Sequence, residues 1–165
     1  PVAYARRMRN CYHAKDVAAF HDTLSFHYEV EDSSTVLMRM ENGAQFVVQT
    51  NFNIPDEAAK WRIEIFGDQG RLVGENVIGQ IDGGSLDALF CGDQGAYDAQ
   101  QDKKDGERSA IEVEFGNMYA REVASFSNSI LTGAPLEVPA EEAVQVQRVM
   151  EAAYRSNDTG HCMQP

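Results

Sequence analysis

The segment from residue 30 to residue 72 constrains the fold more than any other part of the chain, because β-prone runs alternate there with turn signals. Residues 35–40 and 44–52 flank an Asn42-Gly43 pair. An Asn-Gly pair between two such runs is the strongest short signal for a hairpin, since a type I′ turn needs a positive φ at both central residues. The pattern predicts two antiparallel strands joined by this turn.

A further strand and its reversal follow within the same segment. Trp61, Ile63 and Ile65 alternate with polar residues, so they are predicted to share one face of a half-buried strand. Residues 67–70, with a glycine at each end, then reverse the chain into a partner strand. Consecutive strands connected in this way indicate a meander and a mainly antiparallel sheet.

The flanking regions have weaker patterns. Residues 2–12 fit an extended segment, residues 13–24 fit a short turn of helix or an irregular crossover, and residues 26–30 fit a short strand. Residues 74–110 are rich in Gly, Asp and Gln. This composition indicates a ragged hairpin or a surface excursion.

Two helices are predicted in the last third of the chain. The first has apolar side chains at spacings of four, three and four, which define one face of a helix: Tyr119, Val123, Phe126 and Ile130. Residues 133–135, Gly-Ala-Pro, stop it. The second begins near Pro139, carries two glutamates in its first turn that favour the helix dipole, and is ended by residues 156–160. Its predicted apolar stripe consists of Ala143, Val146, Met150 and Ala153.

Strands followed by helices predict a single α+β domain over residues 1–165. Its centre is an open-faced, mainly antiparallel β-sheet of about six strands, covered on one face by helices. The uncovered sheet face needs a partner, which is either a second domain or a second copy of the chain.

Composition excludes two classes of partner. The formal net charge of −12, from 14 basic and 26 acidic residues, repels nucleic acid. No apolar run approaches the roughly 20 residues of a membrane helix. The three cysteines are widely spaced and show no zinc-binding pattern, so reduced thiols and a cytoplasmic location are expected.

Four separated pieces of the chain, taken in order, resemble the C-terminal domain of the Gfo/Idh/MocA (glucose-fructose oxidoreductase-like) family. They are residues 30–43 with the Asn-Gly turn, residues 61–72 (WRIEIFGDQGRL), residues 119–133 (YAREVASFSNSILTG) and residues 139–160. No single piece is specific, but four in the family's order are.

The resemblance implies a function for the protein from which the chain comes. Family members carry an N-terminal Rossmann domain that binds NAD or NADP, and they typically transfer a hydride between the nicotinamide and a carbon of a sugar or polyol. The chain would then be the substrate-side and oligomerisation domain of such an oxidoreductase. Its expected partners are the missing Rossmann domain, a sugar-like small molecule and further copies that bind through the open sheet face.

The family's catalytic and cofactor-binding motifs are missing from these residues. There is no G-x-G-x-x-G, no E-K-P lysine and no D-x-x-x-H histidine. His13 and Asp16 half-match H-x-x-D, but they follow the first predicted strand, whereas the family's catalytic histidine precedes it. The catalytic residues are therefore expected upstream of Pro1, and the chain alone is expected to bind no cofactor and to catalyse nothing.

Four residues are candidates for the substrate-side wall that the resemblance implies: Arg7, His13, Tyr119 and Arg121. Packing in the core is the competing interpretation for the last two. The same pair of interpretations applies to Trp61, and a solvated or pocket-lining role applies to the polar alternation of Gln49, Asn51 and Asn53.

Other polar clusters favour ordinary surface roles. His21, Asp22 and His27 lack metal-ligand spacing, so no metal site is predicted. The carboxylates of Glu29, Glu31 and Asp32 are close in sequence, as the two catalytic carboxylates of a glycosidase could be. Such crowding is expected in a chain with 26 acidic residues, so no catalytic pair is predicted. The rival function is a non-catalytic binding or dimerisation module that has no cofactor domain; a small hydrolase is the third and least favoured alternative.

Overall fold

The computed structural model describes residues 13–25, 29–79, 83–91 and 106–165. These residues form seven strands and two helices: β1 (Ala14–Asp22), β2 (Ser33–Met40), β3 (Gln45–Asn51), β4 (Arg62–Gly67), β5 (Gly70–Glu75), β6 (Ser85–Phe90), β7 (Glu107–Ile111), α1 (Met118–Thr132) and α2 (Ala140–Thr159). Every strand pairing is antiparallel, which confirms the α+β class and the antiparallel sheet. The described strands form one sheet of three and one of four, where the sequence predicted about six strands in one sheet.

The chain divides into two compact units. The first contains the described residues up to 57 together with residues 135–165, and the second contains residues 58–134. The sequence predicted a single domain over 1–165, and that boundary stays a prediction.

The first unit is a three-stranded sheet, in the order β1-β2-β3, with α2 packed on one face of β1. Its buried centre consists of Val17, Ala19, Ala152 and Ala153. Because three of these four side chains are alanine, the helix backbone can approach the strand closely. The Ser156 hydroxyl accepts a hydrogen bond from the Ala19 backbone N–H at 3.2 Å and so joins helix to strand.

Strand β1 corrects the prediction of a helical turn or crossover for residues 13–24. Ala and Asp are poor strand formers, so the sequence of this segment gave little strand signal. The strand is fixed instead by its pairing with β2 and, on its other edge, by a bridge between Val17 and Met163 with N–H···O distances of 2.7 and 2.8 Å. Of the strand predicted at 26–30, residues 29 and 30 form a bend, and the remainder lies outside the described residues, as does segment 2–12.

The β2–β3 hairpin is confirmed, but its turn type is not. Gly43 has a φ of +88°, whereas Asn42 is not among the residues with positive φ, so a type I′ turn is wrong. Gly43 N–H donates to the Met40 carbonyl at 3.0 Å, and Met40 N–H donates to the Ala44 carbonyl at 2.8 Å. This is the three-residue loop in which a turn is followed by a glycine in the left-handed region.

The second unit contains the sheet β4-β5-β6-β7. Its first hairpin turns through the two residues between Gly67 and Gly70, as predicted. Gly70 has a φ of +156°, and a Cβ atom there would lie 2.1 Å from the carbonyl oxygen of Leu89 on β6. Only glycine fits this position. Strands β6 and β7 pair within the 74–110 segment, so the hairpin interpretation of that segment holds for its described part.

The first helix ends at the predicted stop, and the second begins at Pro139 and ends within the predicted range 156–160. The Asn117 side chain accepts a hydrogen bond from Ala120 N–H at 3.0 Å at the start of α1, and Pro139 precedes α2. Gly133 and Gly160 end the two helices in the left-handed region. Neither described helix is long and apolar enough to cross a membrane.

The predicted inward faces of the helices need correction. In α1, Val123, Phe126 and Ile130 do share one face, but each is more than half exposed. In α2, the buried residues are Ala152, Ala153 and Ser156, and only Ala153 belongs to the predicted stripe; Ala143, Val146 and Met150 are exposed. The helix carries two apolar rows, and periodicity alone does not say which row meets the sheet.

Candidate functional site

Two of the four predicted wall residues lie on the first turn of α1. Tyr119 is half exposed, and the Arg121 guanidinium donates to the Phe115 carbonyl at 3.2 Å. The loop before the helix permits this contact, because a Cβ atom on Gly116 would lie 3.2 Å from the same guanidinium nitrogen. Both side chains are exposed and both donate hydrogen bonds, which is chemistry suited to binding substrate oxygen atoms. Because they are two residues apart on a helix, they do not face each other.

The other two predicted wall residues lie elsewhere in the sequence. His13 is an exposed residue directly before β1 in the first unit, where its carbonyl accepts a hydrogen bond from Glu41 N–H at 2.8 Å. Arg7 lies outside the described residues. Trp61 is half exposed, and its ring lies against Gly79.

A polar cluster in the first unit was missed by sequence reasoning. The Tyr154 hydroxyl on α2 donates to Glu31 Oε1 at 2.6 Å. The His21 ring on β1 lies against the Tyr154 ring, with centroids 4.9 Å apart and planes at 37°. Neither His21 ring nitrogen has a hydrogen-bond partner among the described residues. Tyr154 is more than a hundred positions from His21 and from Glu31, so no local pattern could have joined it to them.

The Tyr154–Glu31 hydrogen bond shifts the pKa of both groups. It lowers the pKa of the Glu31 carboxyl, with smaller help from a backbone hydrogen bond and the nearby His21. It raises the pKa of the Tyr154 phenol, with help from partial burial. This hydrogen bond links α2 to the loop before β2.

We expect Tyr154→Phe to lower the free energy of unfolding of the intact protein by about 0.5–1 kcal/mol at pH 7, because a hydrogen bond to a partly exposed carboxylate is lost. The lowered Glu31 pKa contributes stability that is lost as pH falls through the folded-state value. The raised Tyr154 pKa contributes stability that is lost as pH rises through the folded-state value.

Urea unfolding across pH measures this effect. The difference between wild type and Tyr154→Phe should shrink below about pH 4 and above about pH 10. Glu31→Gln should remove the acid limb of this dependence. A difference that stays constant from pH 3 to pH 7 would contradict the assignment.

The side chains of the second unit's sheet divide into an apolar and a charged face. The register places Ile63, Gly74, Leu86 and Ile111 on one face. The alternate residues, which include Arg62, Arg71 and Arg108, form the other, and they line a cleft of about 450 Å³. Arg62 donates to Glu64 at 2.8 Å and to Glu75 at 2.6 Å, and this pairing raises its pKa.

The sheet of the first unit has a smaller cleft on the face opposite α2. It has a volume of about 330 Å³, and its lining includes Leu37, the ion pair of Asp16 with Arg39, and Cys162. Gln49 and Asn51 lie on this same face, as their predicted alternation requires. They follow Val47 by two and four residues, and they face Thr35 and Ser33 across the sheet. Phe20 and Val47 on this face are 73% and 66% exposed.

Metal-ligating side chains do not gather in the described ranges. No group of three or more His, Cys, Asp or Glu side chains there could hold a metal ion. Of the three residues considered above as metal ligands, His21, Asp22 and His27, the last lies outside the described ranges. Asp32, a second member of the acidic cluster, is structural: its carboxylate accepts hydrogen bonds from the backbone N–H groups of Leu24 and Ser25, both at 2.8 Å.

Comparison of the chain with models of protein families identifies its family. The model of the Gfo/Idh/MocA family described as "Oxidoreductase family, C-terminal alpha/beta domain" matches residues 3–164. The chain belongs to this family, which confirms the resemblance found in the sequence.

Solved structures share the fold at low identity. Aldose-aldose oxidoreductase from Caulobacter crescentus, complexed with glycerol, is 19% identical with a TM-score of 0.74, covering 99% of this chain and 44% of its own. The WlbA dehydrogenase from Bordetella pertussis, in complex with NADH and UDP-GlcNAcA, is 20% identical with a TM-score of 0.65. The match covers 92% of this chain and 40% of the dehydrogenase chain. An oxidoreductase from Agrobacterium radiobacter, in complex with NAD+, L-tartaric acid and magnesium, is 14% identical with a TM-score of 0.67. The match covers 98% of this chain and 46% of the other chain.

This chain therefore spans less than half the length of each of those structures. A search of curated proteins found no significant match.

Proposed function

We propose that the chain is the substrate-side and oligomerisation domain of an NAD(P)-dependent oxidoreductase that acts on a sugar-like or polyol substrate. The observation that carries the proposal is the family match over residues 3–164, in a chain that spans 40–46% of the length of three similar solved structures. The remaining length in those proteins leaves room for a cofactor domain.

The pairing of the described strands supports a cofactor site outside this part of the chain. A dinucleotide fold needs parallel strands joined by a crossover helix and a Gly-rich turn. All pairings among the seven described strands are antiparallel, so these residues do not fit NAD or NADP. On this proposal the nicotinamide supplies the hydride chemistry, and the chain's own residues bind and orient the substrate.

Substrate contact is proposed for the first turn of α1. Arg121 is held against the Phe115 carbonyl, while Tyr119, two residues earlier on the helix, is half exposed. Both side chains donate hydrogen bonds, which suits the hydroxyl and carbonyl oxygens of a sugar. His13 and Arg7 remain proposed contributors to substrate binding. The glycerol and UDP-GlcNAcA ligands of two similar structures are compatible with a polyol or sugar substrate.

Oligomerisation is proposed for the outer face of the first unit's sheet. Phe20, Leu37 and Val47 are exposed on the side of the sheet away from α2. Exposed apolar side chains that are contiguous on a sheet mark a surface that a partner covers. Leu37→Asp in the intact protein serves as a probe of this surface, read by light scattering.

Kinetics of the intact protein test the proposal. Oxidation of a panel of aldoses and polyols should reduce NAD+ or NADP+, followed at 340 nm as the reduced nicotinamide forms. Tyr119→Phe and Arg121→Gln should each lower kcat/KM at least about tenfold without changing NAD(P)H affinity, because each removes one substrate hydrogen bond. Tyr154→Phe and Arg148→Gln make the same chemical changes elsewhere and should leave kcat/KM unchanged.

Two outcomes would contradict the proposal. If residues 1–165 alone, folded by circular dichroism, bind NADH saturably, then the cofactor site lies within this chain. If the intact protein binds neither NADH nor NADPH, the rival holds, and the domain is a non-catalytic binding or dimerisation module.

A further inference from the structure

The charged face of the four-stranded sheet holds two arginines that have no acidic partner among the described residues. The register places Arg71 on β5 and Arg108 on β7, each opposite Leu89 on β6. Neighbouring strands lie about 4.8 Å apart, so the two Cα atoms are about 10 Å apart, with Leu89 between them. Neither arginine forms an ion pair with a described carboxylate, although the chain has 26 acidic residues.

The third arginine on this face shows the contrast. Arg62 is held by both Glu64 and Glu75, and these carboxylates neutralise its charge. Arg71 and Arg108 lie at the other end of the same cleft, where neither forms an ion pair with a described carboxylate, although Asp87 lies on the same face. Two arginine side chains on either side of one leucine are long enough to converge above it on a single oxyanion. An arginine presents its donors in a planar fork that fits carboxylate and phosphate.

Hydrogen-bond acceptors line the cleft beside the arginines. Asp87 and Ser85 precede Leu89 by two and four residues on β6, so they lie on the same face, and Asp87 is about 7 Å from Leu89 along the strand. Neither makes a side-chain hydrogen bond with a described residue. The Asp87 carboxylate accepts hydrogen bonds, so it fits hydroxyl groups and repels a second anionic group.

We propose that this cleft binds a small polyhydroxylated anion, namely a polyol that carries one carboxylate or phosphate group. The anionic group lies between Arg71 and Arg108, and hydroxyl groups further along the ligand donate to Asp87 and bind Ser85. The cleft volume of about 450 Å³ falls in the range of small-molecule sites. The inference concerns residues of one sheet alone and does not depend on the proposed oxidoreductase activity.

Calorimetric titration of the intact protein at low ionic strength tests this site with four probes. D-gluconate and glucose 6-phosphate present a carboxylate and a phosphate on a polyol; sorbitol is the neutral analogue, and inorganic phosphate lacks the polyol. We expect saturable binding of one or both anionic polyols, weaker binding of phosphate and none of sorbitol. Whichever anionic polyol binds more tightly identifies the source of the anionic group.

Variants assign the binding to these side chains. Arg71→Gln and Arg108→Gln should each weaken binding of the anionic polyol at least about tenfold, as loss of a charge-assisted hydrogen bond requires. Arg71→Lys should restore part of the affinity, because the charge remains without the fork. Asp87→Asn should weaken anionic-polyol binding about fivefold and leave phosphate binding equal or stronger. Arg148→Gln, an exposed arginine of α2, controls for the lost charge.

Three results would overturn the inference. The first is that neither anionic polyol binds saturably. The second is that Arg148→Gln loses as much affinity as Arg71→Gln and Arg108→Gln, which would indicate a non-specific effect of the lost charge. The third is a change in molecular mass by light scattering in Arg71→Gln and Arg108→Gln with unaltered ligand binding, which would make the face an interface between copies. Both arginines are exposed, so unchanged circular dichroism is expected for each variant.

Discussion

Replacing Gly70 by alanine is expected to lower the free energy of unfolding of the second unit by about 2–4 kcal/mol, because the substitution combines backbone strain with overpacking. Gly70 begins β5 with a φ of +156°, and a Cβ atom there would lie 2.1 Å from the Leu89 carbonyl oxygen. The obstacle is backbone of the neighbouring strand and not a side-chain end that could rotate away. Relief therefore requires β5 and β6 to separate.

Urea unfolding of the intact protein, combined with hydrogen exchange of the β5 and β6 amides, measures this loss. Gly83→Ala is the matched control, since Gly83 has a φ of +142° but no atom within 4 Å of a built Cβ. It should cost about 1 kcal/mol, from the conformational term alone. Equal effects at the two positions would show that β6 can yield to the added methyl group.

Asp32→Ala is expected to destabilise the first unit by about 2–4 kcal/mol, since backbone donors that are partly buried lose a charged acceptor. The Asp32 residue is 2% exposed, and its carboxylate accepts from Leu24 and Ser25 N–H, both at 2.8 Å. Its backbone also bonds to Asp22 and Phe52, so the loop after β1 and the end of β3 meet at this residue.

Differential scanning calorimetry and urea unfolding test this prediction. Asp32→Asn keeps the size and one acceptor oxygen and should give an intermediate loss. Asp56→Ala removes the same charge from an exposed loop position and should change stability by less than about 0.5 kcal/mol. If Asp32→Ala and Asp56→Ala behave alike, the carboxylate does not hold the loop.

Local chemistry explains which parts of the fold were predictable. The hairpins at Gly43 and at residues 67–70, and the helix ends at Gly133 and Gly160, depend on residues close in sequence, and each was predicted at the right place. Even there, the predicted type I′ turn at Asn42 was wrong, because the Asn-Gly signal does not distinguish a two-residue loop from a three-residue loop.

Long-range pairing explains what was missed. Strand β1 is stabilised by β2, α2 and Met163, and none of these contacts leaves a local pattern in residues 14–22. The buried row of α2 was misassigned because Ala152 and Ser156 carry less hydrophobic signal than Val146 and Met150, which are exposed.

The candidate sites were predictable only in part, for the same reason. The placement of Tyr119 and Arg121 at the start of a helix followed from its apolar spacing and was correct. Alternation within β5 and β7 places Arg71 and Arg108 on a strand face, but only the register across β6 shows that they lie on either side of Leu89. The Tyr154–Glu31 hydrogen bond likewise joins residues 123 positions apart.

The interrupted path of the chain through the first unit has a consequence for synthesis on the ribosome. Residues 58–134 form the second unit without a break, so its strands can pair as soon as they emerge. Val17 and Ala19 must wait for Ala152 and Ala153, and the Ala19–Ser156 hydrogen bond spans 137 residues. During this interval the sheet that emerges first is without its covering helix, and its apolar surface is open to chaperones or to the same sheet of a neighbouring nascent chain.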